Sequence, residues 1–153
     1  MPKHIDKTTQ LLNVDLDIYS RFNLEPLVAA LASKVFVLYI GRPRRTYEAH
    51  LELSVHPKSA DAAIRRFAAL IRSLPKAPRK LWDTAKIRDF NIGVQVAMAP
   101  FSSVTLLAHG TVQAAADLKA RIVFTIYAPE MSKKSVSKKR PKAVNSPRTK
   151  AVR

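Results

Sequence analysis

Residues 12–18, LNVDLDI, set Leu12, Val14, Leu16 and Ile18 against Asn13, Asp15 and Asp17 in strict alternation. Successive side chains of a strand point to opposite faces, so this pattern reads as a β-strand with one buried and one wet face. Such a strand needs neighbours in a sheet and a second layer over its apolar side. The same alternation returns in YEAHLELSV at 47–55, with Tyr47, Ala49, Leu51, Leu53 and Val55 on one face. It returns again in RDFNIGVQVAM, through Phe90, Ile92, Val94 and Val96. Between the first two lies VFVLYI, 35–40, an unbroken apolar run that reads as a buried strand. The intervening GRPRRT is turn material, so 35–55 is expected to form a hairpin with an arginine-rich loop. RIVFTIY at 121–127 is strand-like by its β-branched and aromatic content.

Helical spacing fills the gaps. LEPLVAALASK places Leu24, Leu27, Val28 and Leu31 on one side, with Asn23 as a candidate cap and Pro26 in the first turn, where a missing N–H costs little. Ser59 and Asp61 open the clearest helix. Its stripe is Ile64, Phe67, Ala68, Ile71 and Leu74, and Arg65, Arg66 and Arg72 point away from it. Pro75 and Pro78 interrupt it, RKLWDTAKI continues as a second helical piece, and Thr111–Ala120 has helical composition.

The expected order is therefore β-α-β-β-α-β-α-β. It predicts an α+β, ferredoxin-like two-layer sandwich: a mostly antiparallel sheet, helices on one face, the other face partly open. LASKVFVLYI at 31–40 echoes LKARIVFTIY at 118–127, as two βαβ-like halves would. Residues 1–10 read as a flexible N-terminus, 11–130 as a single α+β domain and 131–153 as a disordered basic tail.

Charge follows this division. The chain carries a formal +16, but residues 132–153, SKKSVSKKRPKAVNSPRTKAVR, hold nine basic residues and no acid. That leaves 18 basic against 11 acidic residues elsewhere, about +7. With almost no bulky apolar side chains, the tail cannot offset the entropy of ordering. The absence of cysteine excludes disulfides, thiol catalysis and thiolate metal sites. The longest apolar run is far short of the ~20 residues of a membrane span. The polar MPKHIDKTTQLL lacks a secretory leader, so the cytoplasm is the expected compartment.

Two stretches, LWDTAKIRDFNIGVQ at 81–95 with its Arg-x-Phe-x-Ile-Gly step into a strand, and the closing LKARIVFTIY, carry a family likeness. Over residues 12–128 the chain resembles small uncharacterised bacterial proteins of the domain of unknown function 4279 group, without the Gly-rich early segment of many members. The resemblance implies a fold and no established activity, and it assigns no functional residue.

Three constellations bear on function. The polar side of YEAHLELSVH sets Glu48, His50, Glu52 and Ser54 at i, i+2 intervals of roughly 7 Å. Asp15 and Asp17 extend the group if the first strand lies alongside, with Gln95 and Thr125 as further members. Such a face simply meets water, or binds a ligand, or as carboxylates around an imidazole holds a metal or does acid–base work. No zinc-protease helix, nucleophile elbow or phosphate-cradling loop is present in the sequence, so no catalytic residue, metal or cofactor is assigned. His4, His56 and His109 read as loop or cap residues, and Trp82, Phe90 and Phe101 as core. The second constellation is cationic: Arg42, Arg44 and Arg45 in the hairpin loop, and Arg65, Arg66 and Arg72 on the helix, continuing towards Lys76, Arg79 and Lys80. The third is the tail, with Lys133, Lys134, Lys138, Lys139, Arg140, Lys142, Arg148 and Lys150. These two together fit non-specific contact with nucleic acid or another polyanion through counterion release. The acidic sheet face opposes base reading, with only Tyr39 and Tyr127 as stacking platforms. The leading expectation is a non-enzymatic interaction module for an unknown protein or small ligand, homodimeric through a sheet edge or face, with a cationic tail for weak polyanion contact. The alternative is a sequence-nonspecific nucleic-acid binder working through tail and basic helix.

Overall fold

The alternating segment 12–18 is the middle of the central strand of a five-stranded sheet. The structure, a computed structural model, describes residues 8–97 and 103–128. Its elements are β1 (Gln10–Ser20), α1 (Glu25–Leu31), β2 (Val35–Gly41), β3 (Tyr47–Leu53), α2 (Ala60–Arg72), α3 (Lys76–Thr84), β4 (Ile87–Gln95), α4 (His109–Asp117) and β5 (Arg121–Tyr127). The sheet order is β2-β3-β1-β4-β5. Three pairings, β2·β3, β3·β1 and β1·β4, are antiparallel, and β4·β5 is parallel. The sheet is thus mixed: α4 returns the chain so that β5 runs alongside β4, as a helical crossover requires.

The two segments that echo each other in sequence become the two outer strands, β2 and β5. Their settings differ. β5 lies directly beside β4, whereas β3 separates β2 from β1.

Alternation decides what each face carries. Val14, Leu16 and Ile18 of β1, Ala49, Leu51 and Leu53 of β3, and Phe90 and Ile92 of β4 are buried on one side. Against them lie Leu27, Val28 and Leu31 of α1, Ile64, Phe67 and Ile71 of α2, Trp82 of α3, and Ala114 and Ala115 of α4. The rings of Phe67 and Phe90 stack with centroids 6.0 Å apart. Fully burying a side chain of this size contributes about 1.5–3 kcal/mol, which makes this layer the main stabilising element.

Capping and polar satisfaction follow the sequence signals. The Ser59 hydroxyl accepts from the Ala62 N–H at 3.1 Å and starts α2. Asn23 sits one residue ahead of the α1 cap position, held by Leu24, and its Oδ1 accepts from the Glu25 N–H at 3.0 Å. Trp82 is fully buried, and its indole N–H donates to the Leu118 carbonyl at 3.2 Å, tying α3 to the end of α4.

One expectation is overturned. VFVLYI, read as a buried strand, is instead the exposed edge β2. Only Val35 is buried, and Phe36, Val37, Leu38, Tyr39 and Ile40 are all exposed. An uninterrupted apolar run marks a strand covered on both faces. Within the described residues only β3 flanks β2, and α1, at seven residues, leaves most of its helix side bare.

Among the described residues no helix is long and apolar enough to cross a membrane.

Candidate functional site

The face of the sheet away from the helices carries the odd-numbered residues of β1 and the even-numbered residues of β3. Antiparallel register sets Asp15 opposite Glu52, Asp17 opposite His50 and Tyr19 opposite Glu48. The expected polar group, Asp15, Asp17, Glu48, His50 and Glu52, is therefore assembled on adjacent strands. β4 contributes from the other side of β1, where Asp15 faces Asn91 and Asp17 faces Asp89.

A chain of hydrogen bonds runs across this face. Thr125 Oγ1 donates to Asn91 Oδ1 at 2.7 Å, and Asn91 Nδ2 donates to Asp17 Oδ2 at 3.2 Å. Asp17 Oδ1 then lies 2.7 Å from His50 Nδ1, and His50 Nε2 is 3.7 Å from Glu48. Tyr19 meets the imidazole edge-on, with ring centroids 5.8 Å apart, and Tyr39 lies tilted at 5.7 Å. His50 is thus fixed on one nitrogen by a carboxylate and walled by two phenol rings. At the sheet's far side, Arg121 pairs with both oxygens of Asp89 at 2.7 Å.

The carboxylates are crowded. Burial, reinforced by Asp17 and Glu52, pushes Asp15 from 3.8 up to about 6, against the opposing pull of His50 and of the Asn13 amide, which donates to Asp15 at 3.1 Å. Tyr19 is raised as well, first by burial and then by Asp17, Glu48 and Asp89. Gly93 fits beneath Asn13: a Cβ there would collide with the Asn13 side-chain oxygen. Among the described residues no three His, Asp or Glu side chains are grouped to hold a metal ion. Gln95 stands apart from the network and donates to the Ala128 carbonyl at 2.6 Å.

The basic elements are less available than their sequence implies. On α2, Arg65 pairs with Asp61 at 3.1 Å and Arg72 with Asp117 at 3.5 Å; on α3, Arg79 pairs with Asp83 at 2.9 Å. Arg66 is exposed and makes no such pair among the described residues. In the hairpin turn, Arg42 rests over the Tyr47 ring at 4.8 Å. Arg44 and Arg45 are exposed and hold left-handed backbone conformations, φ 49° and 71°, which a side chain with a Cβ adopts at a cost of roughly 1–2 kcal/mol each. Lys133, Lys134, Lys138, Lys139, Arg140, Lys142, Arg148 and Lys150 lie outside the described residues, as do His4 and Phe101.

Sequence reasoning missed Asn91, Asp89, Arg121 and Tyr19 as members of the open face. For Asp89 and Asn91 the signal was present, because they occupy the polar phase of the alternation that identified Phe90 and Ile92, and Tyr19 continues the phase of Asp15 and Asp17 in β1. What it lacked was the pairing that sets β4 beside β1 and β5 beside β4. The larger omission is β2, whose five exposed apolar residues form a border to this face: Phe36 opposite Glu52 and Tyr39 opposite His50. No family model, curated protein or solved structure matches the chain.

Proposed function

We propose that the chain is a non-enzymatic interaction module that receives its partner along the free edge of the sheet. The observation that carries this reading is β2 itself: five consecutive apolar residues, Phe36 to Ile40, exposed on both faces of an edge that has no second neighbour among the described residues. Natural edge strands are blunted by charge, proline or shortness, because a bare edge templates pairing with another chain. β2 has neither charge nor proline between Val35 and Gly41; a register shift at Val37/Tyr39 is its one irregularity. Leaving such a strand bare disfavours a solitary domain, whereas strand addition to an edge is a standard recognition mode.

The fold assignment belongs to the same proposal. The order β2-β3-β1-β4, antiparallel throughout, supports a ferredoxin-like sandwich to which β5 adds a parallel strand. A cytoplasmic setting and kinship with the domain of unknown function 4279 group stand with it as expectations from the sequence. The open polar face enters as a border to the edge, because its His50 packs against Tyr39.

The test is photo-crosslinking in producing cells with Leu38→p-benzoylphenylalanine, beside Arg66→p-benzoylphenylalanine on the exposed side of α2. Covalent adducts at position 38 and none at 66 are expected. A clean absence of adducts at 38 overturns the reading.

Nucleic-acid binding through the tail and the basic helix is the second reading. It is favoured by Arg44, Arg45 and Arg66, exposed and without an ion pair among the described residues, and weakened by the carboxylate partners of Arg65, Arg72 and Arg79.

A further inference from the structure

Building on the edge reading, we infer that the partner on β2 is a second copy of this chain, joined antiparallel about a two-fold axis near Leu38. The first argument is that, among the described residues, nothing covers β2 on either side. Val37 and Ile40 face the helix layer, as their pairing with the core residues Leu51 and Ala49 shows, and Phe36 and Tyr39 face the open side. An isolated peptide strand would satisfy the edge backbone and leave the helix-side residues in water. A body with its own sheet and helix layer covers both, and the β2–α1 border of a second copy is such a body.

The second argument is self-complementarity. Run against itself about Leu38, the strand presents only apolar residues, Phe36 to Ile40, to its counterpart, and both copies carry the same register shift at Val37/Tyr39. A two-fold pairing is closed, so it consumes the edge and generates no filament. The third is area. Phe36, Val37, Leu38, Tyr39 and Ile40 are 53%, 43%, 52%, 44% and 38% exposed. Taking about 150–250 Å² for a large side chain, they present roughly 400 Å² per copy. Two copies therefore withdraw up to on the order of 800 Å² before α1 and the hairpin turn are counted, close to the ~1,000 Å² that a specific interface needs.

Charge supplies a signature. The same register brings Lys34 of one copy opposite Arg42 of the other at both ends, and like charges facing across strands oppose pairing. Added salt screens them, so the dimer tightens as salt rises. An acidic partner segment drawn to Lys34 and the turn arginines would show the reverse.

The experiment is sedimentation equilibrium of the full chain over a wide concentration range, at low and high salt, with Leu38→Lys and Phe36→Glu alongside. Circular dichroism verifies that both variants fold. Hydrogen exchange of the parent at low and high concentration adds a reading that needs no variant. The expected result is a species of twice 17.1 kDa that strengthens with salt. Each variant should weaken it by at least about tenfold, as central interface residues do. Exchange should slow at residues 36–40 only where the dimer is populated. A monomer at every concentration overturns the second copy. In that case an adduct of another mass at position 38 keeps the edge reading alive, and no adduct ends both. A dimer indifferent to both variants, with residues 36–40 exchanging at the monomer's rate, also overturns it, since another surface then makes the contact.

Discussion

Replacing Asp15 by Asn should stabilise the protein at neutral pH and make little difference in acid. Asp15 lies directly opposite Glu52 and two residues from Asp17, and its carboxyl is held at about 6 against 3.8 when free. Between these values the folded chain retains a proton that the unfolded chain has released. Stability therefore falls as pH rises through that window, and the full penalty is present above it. At 1.36 kcal/mol for each tenfold change in proton affinity, the gap sets a ceiling of about 3 kcal/mol. Because the side chain is only partly buried, solvent screening reduces the expected gain to about 1–2 kcal/mol. Asn keeps the shape and the acceptor that receives the Asn13 amide, so little else changes. Urea denaturation of parent and variant at fixed protein concentration, at pH 7.5, 5 and 3.5, reads the difference as a shift of midpoint at constant slope. The gain should be largest at pH 7.5, smaller at pH 5 and nearly gone at pH 3.5, where the carboxyl is mostly protonated in both the folded and the unfolded chain. A variant no more stable than its parent at pH 7.5, or a difference that does not vary with pH, would refute the argument that burial, with Asp17 and Glu52 beside it, makes a charged Asp15 costly on this face.

Other expectations are more direct. Ser59→Ala removes the hydroxyl that accepts from Ala62 and should cost about 1 kcal/mol in thermal or urea unfolding, while Ser59→Gly should cost only a few tenths. Trp82→Phe leaves the Leu118 carbonyl without its indole donor inside the core, for an expected loss of about 1–3 kcal/mol measured the same way. In a salt series of DNA binding, the 1–130 truncation should lose most affinity, because Arg65, Arg72 and Arg79 already hold carboxylates. Its slope of log affinity against log salt should flatten by up to about eight, the limit set by nine tail charges. Affinity that survives the truncation would move the folded cations to the front.

Legibility in the sequence followed the range of the interactions involved. The alternation of LNVDLDI, the Ser59 cap and the apolar stripe of α2 are local patterns, and each gave its element with ends close to those observed. The ion pairs Arg65–Asp61 and Arg79–Asp83 are also local, four residues apart on a helix. Arg72–Asp117 and Asp17–His50 depend on tertiary packing and strand register, which no spacing records. The same holds for Asp89–Arg121 and for the parallel entry of β5. VFVLYI misled for another reason. Its composition is that of a strand covered on both faces, and the reading supplied that cover from within the chain, where α1 and β3 leave Phe36 to Ile40 exposed.

The placement of β1 has a consequence for assembly. This strand comes first in the chain yet sits in the middle of the sheet. Its partners are distant: Asp17 meets His50 33 residues away and Asn91 74 residues away. Loop-closure entropy must be met before such contacts contribute, so topology gives the β2–β3 hairpin, closed by the turn at Pro43–Arg45, the advantage in time. On a growing chain the hairpin can close once Leu53 is free, whereas β1 stays unsealed on its far side until Gln95 has followed. During that interval the outer edge of the hairpin is already formed and bare, and two chains growing near each other could meet through it before either has finished its core.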